Sequence, residues 1–198
     1  MSSFFKKSIV CVVLLGLITT GILFIKKPQL FSSYELGDAI DSLNHVKVFY
    51  NGNTGTVLGR NTAANGYNIG LKYQCVEFVK RYYFEFYKHE MPNSYGHAVS
   101  FFDKSLSDGE INKDRDLIQC ENPSAFIPQI GDLIVLDATS INGYGHVAII
   151  SEVRKDEIQI IQQNPGATAN SRVWYDLKLN NGKYLIDNSR VLGWLRMK

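Results

Sequence analysis

Hydrophobic residues are distributed along this chain in three successive patterns. Residues 8–25, SIVCVVLLGLITTGILFI, carry no charge and are bracketed by Lys6-Lys7 and Lys26-Lys27. At ~1.5 Å per residue a helix of that length reaches ~27 Å, enough to cross the hydrocarbon layer of a membrane. The run is longer than the usual core of a cleavable signal peptide, and no small-x-small cleavage site follows it. It therefore predicts an uncleaved transmembrane signal-anchor, with residues 1–7 as a cytosolic tail and the rest of the chain outside the cytoplasm. Cleavage of the run would release a secreted form instead.

The next pattern is helical. Residues 26–49 read as a tether with a short amphipathic stretch at 33–43, and residues 50–70 are so rich in glycine and asparagine that turns and loops are expected there. Residues 73–89, YQCVEFVKRYYFEFYKH, then place Val76, Val79, Tyr83 and Phe86 at helical spacing, with Glu77, Lys80, Arg81, Glu85 and Lys88 on other faces. Glu77–Arg81 and Arg81–Glu85 are spaced to pair along such a helix.

After a middle segment at 92–128 with one short helix near 98–105, the pattern changes to strands. Apolar runs bounded by Gly, Asn or Asp occur at LIVL (133–136), HVAIISEV (146–153), IQIIQQN (158–164), 172–179 and 192–197. A helix followed by a meander of strands predicts an α+β domain with an antiparallel sheet over residues 50–198.

Charge and cysteine content narrow the function. Four of the 21 basic residues fall within the first 27 positions, which hold no acid, so 17 basic face 19 acidic residues in the remainder. That balance lacks the basic surface a nucleic-acid-binding domain needs. Three cysteines, Cys11, Cys75 and Cys120, are too few for a disulfide framework. Cys120 reads as a small apolar filler, although a Cys75–Cys120 bridge is the one pairing open to the folded part. The four scattered histidines make no zinc-ligand spacing, and no phosphate-binding loop is present, so neither a metal nor another cofactor is expected.

The chemistry concentrates at Cys75, in the first turn of the expected helix. A thiol attacks an amide as thiolate, and a helix N-terminus favours the anion. The same turn supplies unpaired backbone N–H groups for an oxyanion, to which Gln74 could add a side-chain donor. Among His45, His89, His97 and His146, only the last opens an apolar strand directly behind a Gly-Tyr-Gly turn, a position from which an imidazole can face a helix terminus. Gln162, Gln163 and Asn164 on the following strand are each able to hold its second nitrogen, as the third member of a Cys–His–amide triad. Tyr144 and the loop at 52–67 are candidates for the cleft wall.

The string Gly70-Leu-Lys-Tyr-Gln-Cys-Val-Glu-Phe-Val-Lys-Arg81, together with Gly145-His-Val-Ala-Ile-Ile150, Gln163-Asn164 and Leu192-Gly-Trp-Leu195, resembles the CHAP family of cysteine, histidine-dependent amidohydrolases and peptidases. Within that family it is most similar to the amidase domain of glutathionylspermidine synthetase/amidase. The resemblance implies a papain-like (NlpC/P60-type) fold, with Cys75 as nucleophile and His146 as base. It also exposes a departure: those amidases carry a glutamate sixteen residues after the histidine, where this chain has Gln162, with Asn164 as a second candidate to orient the ring. Three functions are compatible with it. They are a peptidoglycan amidase or endopeptidase, a glutathionylspermidine-type amidase, and a catalytically silent wall-binding module.

Overall fold

A computed structural model describes residues 33–166 and 169–198. The expected signal-anchor and cytosolic tail lie outside them, and among the described residues no helix is long and apolar enough to cross a membrane. Tyr34–Lys198 form one compact unit of mixed α/β structure, rich in sheet.

Two small hairpins come first. β1 (Ala39–Leu43) pairs with β2 (Val46–Phe49), and β3 (Arg60–Thr62) with β4 (Asn68–Leu71), both antiparallel. Much of the segment expected to be a tether is thus folded. Val46 and Val48, on one face of β2, are buried in the main core. A strand this short, with Lys47 between its two valines, gives a periodicity signal too brief to stand out from loop.

Helix α1 (Cys75–Tyr82) follows, and continues as a π-helical turn at Tyr83–Tyr87 that Lys88 ends in the left-handed conformation. The expected helix is therefore present, but the wider π turn shifts its register. Val79 and Tyr83 remain in the core while Phe86 is left exposed. Of the two spaced ion pairs, Glu77–Arg81 forms at 2.7 Å; Arg81–Glu85 does not form. The short helix of the middle segment is a 3-10 turn at Ala98–Phe101.

The remaining strands are β5 (Ile111–Asn112), β6 (Leu117–Glu121), β7 (Leu133–Leu136), β8 (His146–Val153), β9 (Glu157–Ile161), β10 (Arg172–Asn180), β11 (Lys183–Ile186) and β12 (Val191–Arg196). They make one antiparallel sheet in the order β11-β10-β9-β8-β7-β12-β6-β5. Neither β5–β6 nor β11 was marked by an uninterrupted apolar run.

Both faces of the central strands are buried, which is why LIVL and HVAII are continuous apolar runs and not alternating ones. Leu133, Val135, Val147 and Ile149 face α1, together with Phe78, Val79, Tyr82 and Tyr83. Ile134, Leu136, Ala148 and Ile150 face a second cluster that also holds Cys120, Leu177, Ile186 and Trp194. Strands from opposite ends of the sheet share this second cluster, so the sheet curls on itself, and a bridge between Ser124 and Tyr184 joins the two ends. Tyr83 Oη donates toward the carbonyls of Gly131 and Leu195, each at 3.1 Å, tying the helix to the sheet.

Candidate active site

Gln74 takes extended backbone angles (φ −80°, ψ 161°) and stops the helix from extending backward, so Cys75 is the first helical residue. Gly70, at φ +140°, allows the preceding strand to run against the helix: a Cβ there would stand 3.0 Å from Glu77 Cα. The Cys75 sulfur rests on the sheet, where the backbone N–H of Val147 points at it, as do those of Val76 and Cys75 itself. Val147 follows His146 directly, so α1 and β8 bring the two expected residues to one place.

Backbone packing fixes that approach. Gly145 sits at φ +73°, where a Cβ would lie 2.7 Å from the Leu136 carbonyl oxygen and 3.2 Å from Val99. Only glycine fits a left-handed turn pressed this closely on its neighbours, and the turn delivers His146 to the end of β8.

The imidazole is oriented by Gln162. His146 Nε2 lies 2.9 Å from Gln162 Oε1, while Gln162 Nε2 donates to the Asn170 carbonyl at 2.9 Å. The Asn170 carbonyl can only accept, so it fixes which end of the amide faces the ring. An amide oxygen can also only accept, so His146 carries its proton on Nε2. Nδ1 is left as the free base.

Asn164 makes no hydrogen bond to the ring. Its Nδ2 donates to Thr54 O at 3.0 Å and to Gln74 Oε1 at 2.7 Å. Gln74 in turn spends its amide hydrogens on Thr54 O (3.2 Å) and Thr56 O (2.7 Å). Gln74 is thus not poised as an oxyanion donor, and Asn164 does not orient the ring. Together they clip the 54–56 loop to the start of α1, where Thr56 O also accepts from Asn51 Nδ2 at 3.2 Å. The oxyanion donors available are backbone N–H groups.

Electrostatics differ from the expected activated thiolate. Burial raises the Cys75 thiol above its ordinary pKa and outweighs the three backbone N–H groups that favour the anion. Burial likewise lowers His146 to about 4; the Gln162 bond opposes this and the nearby Arg190 guanidinium adds to it. The resting pair is therefore a neutral thiol beside a neutral imidazole. A carboxylate in place of Gln162 would have favoured the ion pair, but an amide cannot.

Gln163, which like Gln162 lies just past the end of β9, faces the other way. It is fully buried. Its Oε1 accepts from Phe49 N at 2.7 Å, and its Nε2 reaches Gln74 O at 3.0 Å and Glu77 Oε2 at 2.9 Å. Asn61 Nδ2 also donates to Glu77, at 2.8 Å. One dipeptide thus sets the base with its first residue and the nucleophile helix with its second. The resemblance pointed to Gln162 as the residue beside the ring; nothing in the sequence marked Gln163 as the one that braces the helix.

The other histidines are occupied elsewhere. His89 Nε2 is 2.8 Å from Arg115 O, His97 packs on the Tyr144 ring at 4.6 Å, and His45 lies at the turn between β1 and β2. Cys75 and Cys120 are both free thiols. Cys120 lies on the opposite face of the sheet, and burial raises its pKa to about 11. No cluster of three metal-ligating side chains exists among the described residues.

The CHAP domain matches residues 64–164, just over half of the chain. This chain belongs to the CHAP family. The match spans α1, β8 and Gln162, the elements that assemble the Cys–His pair, and the family is one of amidohydrolases and peptidases. The CHAP chain is 28% identical over 120 residues, 61% of its length, to trypanothione synthetase of Crithidia fasciculata. It is 28% identical over 138 residues, 64% of its length, to the bifunctional glutathionylspermidine synthetase/amidase of Escherichia coli (strain K12). These alignments cover only 18% and 22% of the two relatives. The crystal structure of Ly7917 with the hydrolyzing product of MDP aligns over 37% of this chain and 30% of its own, at 31% identity and a TM-score of 0.29. So small an overlap carries no argument. Family and site together make this chain an enzyme, a cysteine-type amide hydrolase.

Proposed function

We propose that this enzyme cleaves an amide bond of cell-wall peptidoglycan, at the muramoyl–alanine linkage or within the wall peptide, through a thioester acyl-enzyme. The observation that carries the mechanism is the Gln162–His146 hydrogen bond, which leaves Nδ1 free, while the helix-start Cys75 accepts from the N–H of the adjoining Val147.

The Cys75 thiol passes its proton to His146 Nδ1 as sulfur attacks the carbonyl carbon. The negative charge moves to the carbonyl oxygen, which the N–H groups at the helix start hold. The tetrahedral intermediate collapses, the C–N bond breaks, and His146 returns the proton to the leaving amine. Water, deprotonated by the same nitrogen, then cleaves the thioester and restores the thiol. Gln162 holds the ring in register through both steps. We read the fold as papain-like on the same grounds: a nucleophile at a helix start, and a base on the sheet.

Peptidoglycan as substrate is supported by the charge-free run at 8–25, which as a signal-anchor would hold the domain on the side of the membrane where the wall lies. The second reading, a glutathionylspermidine-type amidase, is favoured by the two curated relatives. Incubation of the purified chain with sacculi, and separately with glutathionylspermidine, decides between them. Release of wall peptides or of free alanine-terminated stems, lost in Cys75→Ala, is the expected result. Free spermidine with intact sacculi establishes the second reading instead. Sacculus binding that is unchanged in Cys75→Ala, with no product from either substrate, leaves a silent wall-binding module.

A further inference from the structure

At 100° per residue, Glu77 and Arg81 lie about 200° and 240° around α1 from Cys75, on the side turned away from the catalytic pair. There α1, β2 and the β3–β4 hairpin border an open cleft of about 390 Å³. Its floor is the buried Glu77–Arg81 pair, and the rings of Phe49 and Tyr73, 5.0 Å apart, make an apolar wall.

The floor is not fully satisfied. Arg81 is 5% exposed, and its Nε and Nη2 are directed to Glu77 and Gln163. Its Nη1 has no hydrogen-bond partner among the described residues, and it is not among the polar atoms sealed in the interior. Arg81 lines the cleft, and the centre of the Phe49 ring lies 4.9 Å from its guanidinium carbon. At the rim Lys47 and Lys72 are exposed, and among the described residues neither side chain makes an ion pair or hydrogen bond. Glu77 neutralises Arg81, and the exposed Glu85 at the rim stands against the two lysines, which leaves the cleft with an excess of positive charge.

We propose that this cleft is a second binding site, for an oxyanion carried as a carboxylate or a phosphate group. One oxygen would accept from Arg81 Nη1, and the charge would lie between Lys47 and Lys72 against the Phe49–Tyr73 wall. A guanidinium held rigid by its own carboxylate loses little freedom on binding, so it is a better anchor than the flexible lysines alone. Lys47 and Phe49 precede the stretch matched to the family, so the site belongs to this chain's own N-terminal hairpin. It does not depend on the substrate proposed above.

The test uses the full chain in detergent, at ionic strength held constant with chloride. Inorganic phosphate and N-acetyl-alanyl-alanine are titrated separately while the melting temperature is followed, since a ligand bound to the native state raises it saturably. At least one of the two should give a saturable rise. In K47Q/K72Q its midpoint should move at least tenfold higher, with alkylation of Cys75 in the absence of anion unchanged. A response to phosphate alone assigns a phosphate ligand, to the peptide alone a carboxylate, and to both the shared chemistry. No saturable rise with either anion, or the same midpoint in K47Q/K72Q, overturns the proposal.

Discussion

The Cys75–His146 pair shows how two burial effects offset a favourable helix position. The sequence placed cysteine at a helix start and histidine at a strand start, and both placements hold. What no sequence pattern carries is the desolvation, which raises the thiol and lowers the imidazole to about 4. Gln162→Glu should restore the missing charge. A carboxylate on Nε2 favours the imidazolium, and the imidazolium favours the thiolate. Iodoacetamide should then alkylate Cys75 faster near pH 6–7 than in the parent chain, an advantage absent when His146→Ala is added. Gln162→Leu should instead lower kcat/KM by about 10–100-fold, as loss of an orienting partner commonly does. The same histidine gives a stability prediction. Its folded pKa lies below the unfolded value, so its contribution is complete above about pH 6.5 and is lost as pH falls toward 4. Urea midpoints measured across that window should fall more steeply in the parent than in His146→Gln.

Among the elements, the most legible were those buried on both sides, because β7 and β8 are unbroken apolar runs. β5 and β6 were illegible for the opposite reason: the polar residues Asn112 and Gln119 sit buried in them and satisfy each other, Asn112 Nδ2 donating to Gln119 Oε1 at 2.9 Å. A binary pattern counts such residues as surface. The junction of β7 and β8 depends on Gly145, whose role was visible only as a turn signal. Gly145→Ala forces a Cβ against the Leu136 carbonyl at a left-handed φ, at a cost of about 1–3 kcal/mol. Because the strain falls next to His146, turnover should drop by more than the fraction unfolded accounts for. Activity measured at 15 °C, where the variant remains folded by circular dichroism, separates the two effects. Equal loss of signal and turnover would mean that the glycine serves folding alone.

For the molecule as a whole, the boundary of the folded unit lies well before the region that carries the family match. The β1–β2 hairpin contributes Val46 and Val48 to the core, and each valine buried stabilises by about 1.5–3 kcal/mol. It also supplies the Phe49 N–H that Gln163 accepts, and Asp41, which pairs with Arg172 at 2.9 Å and accepts from Ser171. Removing the hairpin would uncover apolar surface on α1 and leave the Gln163 oxygen without its main donor. Against a total stability of about 5–15 kcal/mol, that loss is decisive. A chain beginning at residue 50, which keeps every residue of the catalytic pair and all of the family match, should therefore unfold cooperatively at a much lower urea concentration than one beginning at residue 34, or fail to fold. Adding the 34–49 peptide in trans should restore part of the melting temperature, because the lost contacts are noncovalent. Equal urea midpoints for the two chains would show that the hairpin is an appendage and that the fold ends where the family match does.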